Sequence, residues 1–404
     1  MRALRLIVAS IILAAPLLAV PPTERILVLI AIDGMRWDYL ERHEPPRLRA
    51  LAADGVRVRR LKPNFPSKTF PNHYTLVTGL RPARHGMVGN DMFDAATGRF
   101  FRMHERSSAN DPQWWGGEPI WRTAERQGRI SACMFWPGNE VAFDGQRPTY
   151  WRPYYHDLPD AERVDQVLAW LDLPAARRPS LITLYFAALD DAGHRHGPTS
   201  PQTRDALHAL DGEIGRLIDG VAARGLTEEV QLIVVSDHGM ADISPEQIVL
   251  LDDFIDVAQV QLDVAGPMAG VRPRGLELDA LVEQLRAVPH ARVLRREELP
   301  AEYGYRDHPR MAEVLVLADE GWRITTRAKW AANRYQSDRG DHGFDIAYGS
   351  MDTMLLATGS AFRRETCIQT LDNIHVYNLL CAILGLAAAP NDGDDRLIRA
   401  ALNP

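Results

Sequence analysis

In the stretch Arg25-Ile26-Leu27-Val28-Leu29-Ile30-Ala31-Ile32-Asp33-Gly34, hydrophobicity is nearly continuous from Arg25 to Ile32 and stops at an aspartate and a glycine. A continuous apolar run of strand length is expected where both faces of a strand are covered, as in a parallel sheet with helices on either side. A helical pattern follows from Pro46 to Leu51 and closes at Gly55. The arrangement recurs downstream. Leu181 to Leu189 reads as a second buried strand stopping at Asp190, and Val230 to Ser236 as a third stopping at Asp237. Asp160 to Leu171 and Pro201 to Ala223 have helical period. Strands alternating with helices predict an α/β chain with a mostly parallel central sheet flanked by helices.

That fold gives the three aspartates a common address, because ligands of open parallel sheets bind outside the carboxyl ends of the strands. A lone Asp-Gly is equally the mark of a turn. Nearby histidines favour the first reading. Asp190 is followed by Gly193-His194, Asp237 by His238, and a further His342 lies in Gly340-Asp341-His342-Gly343. Carboxylate and imidazole ligands without thiolate suit a catalytic zinc and not a closed structural one. Asp33, Asp190, His194, Asp237, His238 and His342 are more ligands than one catalytic zinc takes. They divide into two sets of three, which predicts two Zn²⁺ per chain, each with a position left open.

Pro66-Ser67-Lys68-Thr69-Phe70-Pro71-Asn72-His73 supplies a nucleophile candidate. Pro71 belongs to a first helical turn, so Thr69 stands at a helix amino terminus, where free N–H groups and the dipole favour phosphate. The competing reading of Thr69 is an ordinary N-cap. Phe70 follows the nucleophile and is a candidate stacking face for a nucleobase. Tyr154 or Tyr155, in Trp151-Arg152-Pro153-Tyr154-Tyr155, is a candidate for the opposite wall.

Composition sets the outer limits. The 404 residues are 46% hydrophobic and 25% charged, which excludes a disordered, collagenous or coiled-coil chain. A formal net charge of −7 argues against a stable nucleic-acid partner. Three cysteines are too few for a disulfide scaffold, and the apolar neighbours of Cys133 and Cys381 predict buried thiols. Arg2 and Arg5 precede an apolar run from Leu6 to Val20, which reads as a secretory signal over residues 1–20. With Pro16 inside, that run is shorter than the ~20 residues a membrane span needs. The expectation is a periplasmic or secreted catalytic domain over 24–404 with no transmembrane span. Residues 245–335, which carry several Pro and Gly and few of the motifs, are expected to form a cap-like insertion within it.

Taken in order, the motifs resemble those of the nucleotide pyrophosphatase/phosphodiesterases of the alkaline phosphatase superfamily. They are Asp33-Gly34, Lys68 to His73, Thr78-Gly79-Leu80, His85-Gly86, Asn90, Asp190 with Gly193-His194 and Gly197-Pro198, Ser236 to Met240, and Gly340 to Gly343. The resemblance covers nearly the whole chain after the signal. It implies an alkaline phosphatase-like fold, with Asp190, His194 and His342 on one zinc and Asp33, Asp237 and His238 on the other. It also implies Thr69 as a nucleophile bound to the second zinc, with Asn90 and the Phe70 N–H holding phosphate oxygens. The implied reaction is hydrolysis of nucleotides to nucleoside 5′-monophosphates through a phospho-threonine. Relatives with the same metal site act on choline phospholipids or glycerophosphodiesters, which is the alternative substrate class. An inactive secreted zinc-binding protein is the alternative of another class. The chain departs from many relatives in having Ala188-Leu189 before Asp190.

Overall fold

The computed structural model describes residues 20–306, 308–332 and 336–404, so the signal segment, Val20 apart, lies outside the described residues. Its centre is an eight-stranded sheet. In chain order the sheet takes β1 (Ile26–Ile32), β2 (Val56–Lys62), β3 (Ser131–Met134), β4 (Tyr150–Trp151), β5 (Leu181–Phe186) and β6 (Val230–Val235). Four strands form a separate sheet: β7 (Val260–Val264), β8 (Met268–Pro273), β9 (Ala291–Arg295) and β10 (Val314–Ala318). The chain then returns to the large sheet with β11 (Thr353–Thr358) and β12 (Thr366–Asp372). The order across it is β12-β2-β11-β6-β1-β5-β3-β4. β11 runs antiparallel to both its neighbours, and every other pairing in this sheet is parallel.

β1 lies between β5 and β6, with Leu27 opposite Leu181 on one side and Gln231 on the other. All seven of its residues are buried, which is why its sequence carries no polar alternation. Helices cover the faces. They are α1 (Pro46–Asp54), α2 (Thr69–Thr78), α3 (Asp160–Leu171), α4 (Ala188–His196), α5 (Pro201–Ala223), α6 (Leu278–Leu285) and α7 (Val376–Leu384). The start of α5 is capped by Ser200, whose hydroxyl accepts from the Thr203 N–H. α1 begins at Pro45-Pro46 and has no cap of its own. Asp211, buried within α5, serves instead and accepts from the N–H groups of Arg47 and Leu48 at 2.9 and 2.7 Å. A carboxylate at that end satisfies two free donors and complements the dipole.

One boundary differs from the sequence expectation. The second strand ends at Phe186 and not at Leu189, and Asp190 lies inside α4. Ala187-Ala188-Leu189 continues the apolar run, and a short apolar run cannot separate strand from helix by period. The helix matters for function, since it brings Asp190 and His194 to one face as an i, i+4 pair.

β7 to β10 form an antiparallel sheet in the order β7-β8-β10-β9. It has its own core, in which Val271 and Val316 meet Leu281 and Leu285 of α6. Arg310 ties this unit to the main body by donating to the carbonyls of Gly86 and Trp114, both at 2.8 Å, and by pairing with Asp94 at 3.1 Å. Among the described residues no helix is long and apolar enough to cross a membrane. Cys133 and Cys381 are buried as expected, with burial pushing both thiols up to about 12, and Cys367 is exposed.

Candidate active site

The loops leaving β1, β5 and β6 are stitched together by short polar bonds. The Asp33 N–H donates to the Phe186 carbonyl at 3.0 Å, and the Gly34 N–H to Asp237 Oδ1 at 3.3 Å. Gly34 has φ +70°, and a Cβ there would come within 2.9 Å of Asp190 Oδ1. Glycine is therefore what lets the β1 turn approach α4. Gly239 plays the same part after β6, because a Cβ would meet the Ser350 carbonyl at 1.9 Å. Distant His342 is delivered by a two-residue antiparallel pairing of Gly340 and Asp341 with Asp242 and Ala241. That register lays the His342 ring face to face on His238, with centroids 3.4 Å apart.

All six predicted ligands converge, and they form the two expected trios. Asp190, His194 and His342 are one, and Asp33, Asp237 and His238 the other; within each, ligand atoms lie within 4.8 Å of one another. Each histidine directs Nδ1 at a backbone carbonyl: His194 at Gly340 (2.9 Å), His238 at Gly239 (2.9 Å) and His342 at Ser67 (3.1 Å). A carbonyl can only accept, so each Nδ1 carries a proton and each Nε2 is free to ligate. His238 Nε2 then faces Asp33 Oδ1 at 3.2 Å, Asp237 Oδ2 at 3.0 Å and Thr69 Oγ1 at 3.1 Å.

Carboxylates this close need positive charge. Burial, and after it the charges of Asp237 and Asp190, push the Asp33 carboxyl up to about 7. Burial also raises Asp237, but His238 and His73 outweigh it and hold that carboxyl well below its ordinary range. Asp33 Oδ1, Asp190 Oδ1 and Asp237 Oδ2 are buried with no hydrogen-bond partner. Orphaned oxygens beside free imidazole nitrogens are the donor set of a cation site, so the residues fit metal ions.

Thr69 is the first residue of α2, and the N-cap is Lys68, whose side chain makes no cap bond. Thr69 is thus not an ordinary N-cap. Its hydroxyl points to His238, and the first-turn amides lie beside it. The Phe70 N–H donates to Asn90 Oδ1 at 2.9 Å, so the two groups assigned to phosphate are bonded to each other. This bond uses Asn90 Oδ1 as the acceptor and leaves the Asn90 NH₂ as the available donor.

Several supports were not foreseen. The Tyr185 hydroxyl, on β5, donates to Asp33 Oδ2 at 2.6 Å. His73 Nδ1 lies 3.2 Å from Asp237 Oδ2 and 3.0 Å from the Thr69 carbonyl. Asn72, fully buried, donates to the carbonyls of Asn64, Pro66 and Lys68 and shapes the loop before the nucleophile. The Lys68 ammonium donates to the His342 carbonyl at 2.5 Å. The available signal was general: a tyrosine in an apolar strand, or an asparagine inside a helix, needs a buried partner.

The aromatic candidates fall in different settings. Phe70 is half-buried, 5.8 Å from the Phe101 ring and 5.9 Å from Trp115. The Tyr154 ring meets Phe135 edge-on at 5.1 Å and Tyr185 at 6.1 Å. Tyr155 is 59% exposed.

Comparison with known proteins agrees with this geometry. Residues 27–345 match the model of the family "Type I phosphodiesterase / nucleotide pyrophosphatase". An uncharacterised pyrophosphatase/phosphodiesterase of Schizosaccharomyces pombe is 37% identical over 379 residues, covering 91% of this chain and 78% of its own length. The murine ectonucleotide pyrophosphatase/phosphodiesterase family member 3 is 35% identical over 91% of this chain, which spans 43% of that protein. A venom phosphodiesterase of Crotalus durissus collilineatus is also 35% identical over 91% of this chain, which spans 45% of it. Against these vertebrate relatives the chain covers less than half of the longer protein. Among solved structures, human ectonucleotide pyrophosphatase/phosphodiesterase 5 superposes with a TM-score of 0.88 at 32% identity, over 93% of this chain and all of that one. The murine protein, as an inactive threonine-to-alanine variant in complex with AMP, superposes equally well at 33% identity, over 94% of this chain and all of that one. With the motifs, the fold and the two trios in agreement, the chain belongs to the type I phosphodiesterase/nucleotide pyrophosphatase family and is a hydrolase.

Proposed function

We propose that the protein hydrolyses phosphodiester and pyrophosphate bonds of nucleotides, releasing nucleoside 5′-monophosphates, with Thr69 as the nucleophile. The observation that carries this is Thr69 Oγ1 at the amino end of α2, 3.1 Å from His238 Nε2 within the second trio. The two trios would each hold a Zn²⁺, which would supply Lewis acidity toward the phosphate and its leaving oxygen. The chain's own groups do the rest. The helix end orients Thr69 and favours the anion there. Thr69 gives its hydroxyl proton to solvent, and its Oγ–P bond forms as the bond to the leaving oxygen breaks. The nucleoside monophosphate is then esterified to Thr69, and water hydrolyses that ester to free threonine and the nucleoside 5′-monophosphate. Two in-line displacements leave the configuration at phosphorus retained. The complex of the inactive murine threonine-to-alanine variant with AMP supports both the threonine and the nucleotide product.

Asn90 would donate from its NH₂ to a non-bridging oxygen. Asn90→Ala is expected to lower kcat about 10²- to 10³-fold, the usual loss of one such donor. The fall should show in kcat more than in KM, and a loss confined to KM would remove Asn90 from the transition state.

Residues 24–404 would make up the catalytic domain, with 245–335 as an insertion carrying the four-stranded sheet. A secreted or periplasmic location follows from the signal reading and is supported by the ectoenzymes and venom enzymes among the relatives. Phe70 and Tyr154 are the aromatic faces we assign to the base; Tyr155 is too exposed to be the main wall. Phe70→Ala or Tyr154→Ala should raise KM for ATP roughly 5- to 150-fold, the worth of one stacking face, and leave bis(p-nitrophenyl) phosphate nearly unaffected. A panel of nucleoside triphosphates, dinucleotides, nucleotide sugars and lysophospholipids tests the whole reading. If no nucleotide is cleaved, the assignment moves to a lipid or glycerol diester.

A further inference from the structure

Tyr154 is one end of a bonded chain that the roles assigned above do not use. Its hydroxyl lies 2.9 Å from His156 Nδ1, and His156 Nε2 lies 3.1 Å from Asp191 Oδ2. The carboxylate accepts, so Nε2 carries the proton donated to Asp191. Nδ1 is left with a lone pair, and the Tyr154 O–H must be its donor. The direction of the chain is therefore fixed: Tyr154 to His156 to Asp191.

Its ends tie two parts of the site together. Asp191 stands next to Asp190 on α4, the helix that carries the first trio's Asp190 and His194. The backbone of the tyrosine loop is pinned separately. The Tyr154 N–H donates to Glu140 Oε1 at 2.7 Å. Arg163, only 2% exposed, donates to the carbonyls of His156 and Tyr185, both at 2.9 Å. With the main chain held, the freedom left to Tyr154 is the orientation of its ring, and His156 removes it.

We infer that His156, held by Asp191, is a positioning residue that sets the Tyr154 ring at the mouth of the site, and through it the preference for substrates that carry a base. This rests on the nucleotide reading of the pocket. The His156 and Asp191 side chains are 50% and 38% exposed, so the pair contributes little to folding and its removal is read in binding.

The test compares p-nitrophenyl thymidine 5′-monophosphate with bis(p-nitrophenyl) phosphate, which has no base. His156→Ala and Asp191→Ala are each expected to raise KM for the thymidine ester about two- to fivefold, within the range of an exposed pair. kcat on that ester and both constants on the base-free diester should hold. Asp191→Asn keeps an acceptor for Nε2–H and should restore wild-type KM. In a Tyr154→Phe background, which lacks the hydroxyl, His156→Ala should add nothing further. Tyr154→Ala separates the two levels of the argument. If it raises KM selectively for the thymidine ester while His156→Ala does not, the positioning role is overturned and the nucleotide reading stands. If Tyr154→Ala shows no selectivity either, the nucleotide reading fails and takes this inference with it. Equal losses on both substrates in His156→Ala, or additivity with Tyr154→Phe, would also overturn it.

Discussion

Thr69→Ala is expected to retain both metal ions and to lose about 10³-fold or more in turnover, as removal of an attacking group does. The separation of effects follows from the geometry. His238, Asp237 and Asp33 form a complete trio without the threonine. In the proposed reaction the hydroxyl is the group that makes the new bond to phosphorus. Its removal also leaves α2 intact, because Thr69 is not the cap and its carbonyl, not its side chain, holds His73. The variant should therefore melt at the wild-type temperature and still bind a nucleoside monophosphate. Wild-type enzyme quenched in acid during turnover should carry a nucleoside monophosphate esterified to Thr69. If the alanine variant keeps more than a tenth of wild-type kcat, water attacks the diester directly and no covalent threonine ester lies on the path. Thr69→Ser is the companion measurement, since it keeps the oxygen and should keep most of the rate.

The parts of this site that were legible in the sequence are those that chemistry forces into a pattern. β1 and β6 read correctly because strands covered on both faces admit only apolar residues until the loop begins. The six candidate ligands could be picked out because carboxylate and imidazole gathered beside glycine have few other uses near strand ends, and the fold brings them together as two trios. The α4 boundary did not, since Ala187-Ala188-Leu189 satisfies strand and helix alike and only the three-dimensional need to pair Asp190 with His194 decides. Tyr185 and His73 were invisible as supports for a related reason. Their partners Asp33 and Asp237 lie far away in sequence or across an element boundary, and a buried hydroxyl or imidazole does not announce which distant carboxylate it will meet. The chain Tyr154–His156–Asp191 depends on a loop meeting a helix distant in sequence, which no local period encodes.

Chelation is expected to abolish activity completely, and metal analysis of the loaded protein should find two equivalents of zinc per chain. One equivalent or fewer would mean that the two trios do not act as two sites. Zn²⁺ should restore activity better than Mg²⁺, because three of the six ligands are imidazoles. The same carboxylates predict how the metal-free protein responds to pH. Burial and the neighbouring Asp237 and Asp190 raise the Asp33 carboxyl to about 7. Between the ordinary carboxyl range and pH 7 the folded state therefore binds more protons than the unfolded chain. Stability then falls as pH rises through that window. Burial lowers the His194 imidazole, but Asp190 outweighs it and raises the group to about 9, so its contribution is lost on the same side, from about pH 6.5 upward. Bound cations replace those protons, and their hold strengthens as ligands deprotonate. The melting-temperature difference between zinc-loaded and metal-free protein should consequently widen from pH 6.5 to pH 9. At free metal near a hundredfold above Kd each site adds about 2.7 kcal/mol, enough for a shift of several degrees. A gap that stays constant or narrows over that range would show that the crowded carboxylates are neutralised by something other than metal, and would undercut the assignment of both trios.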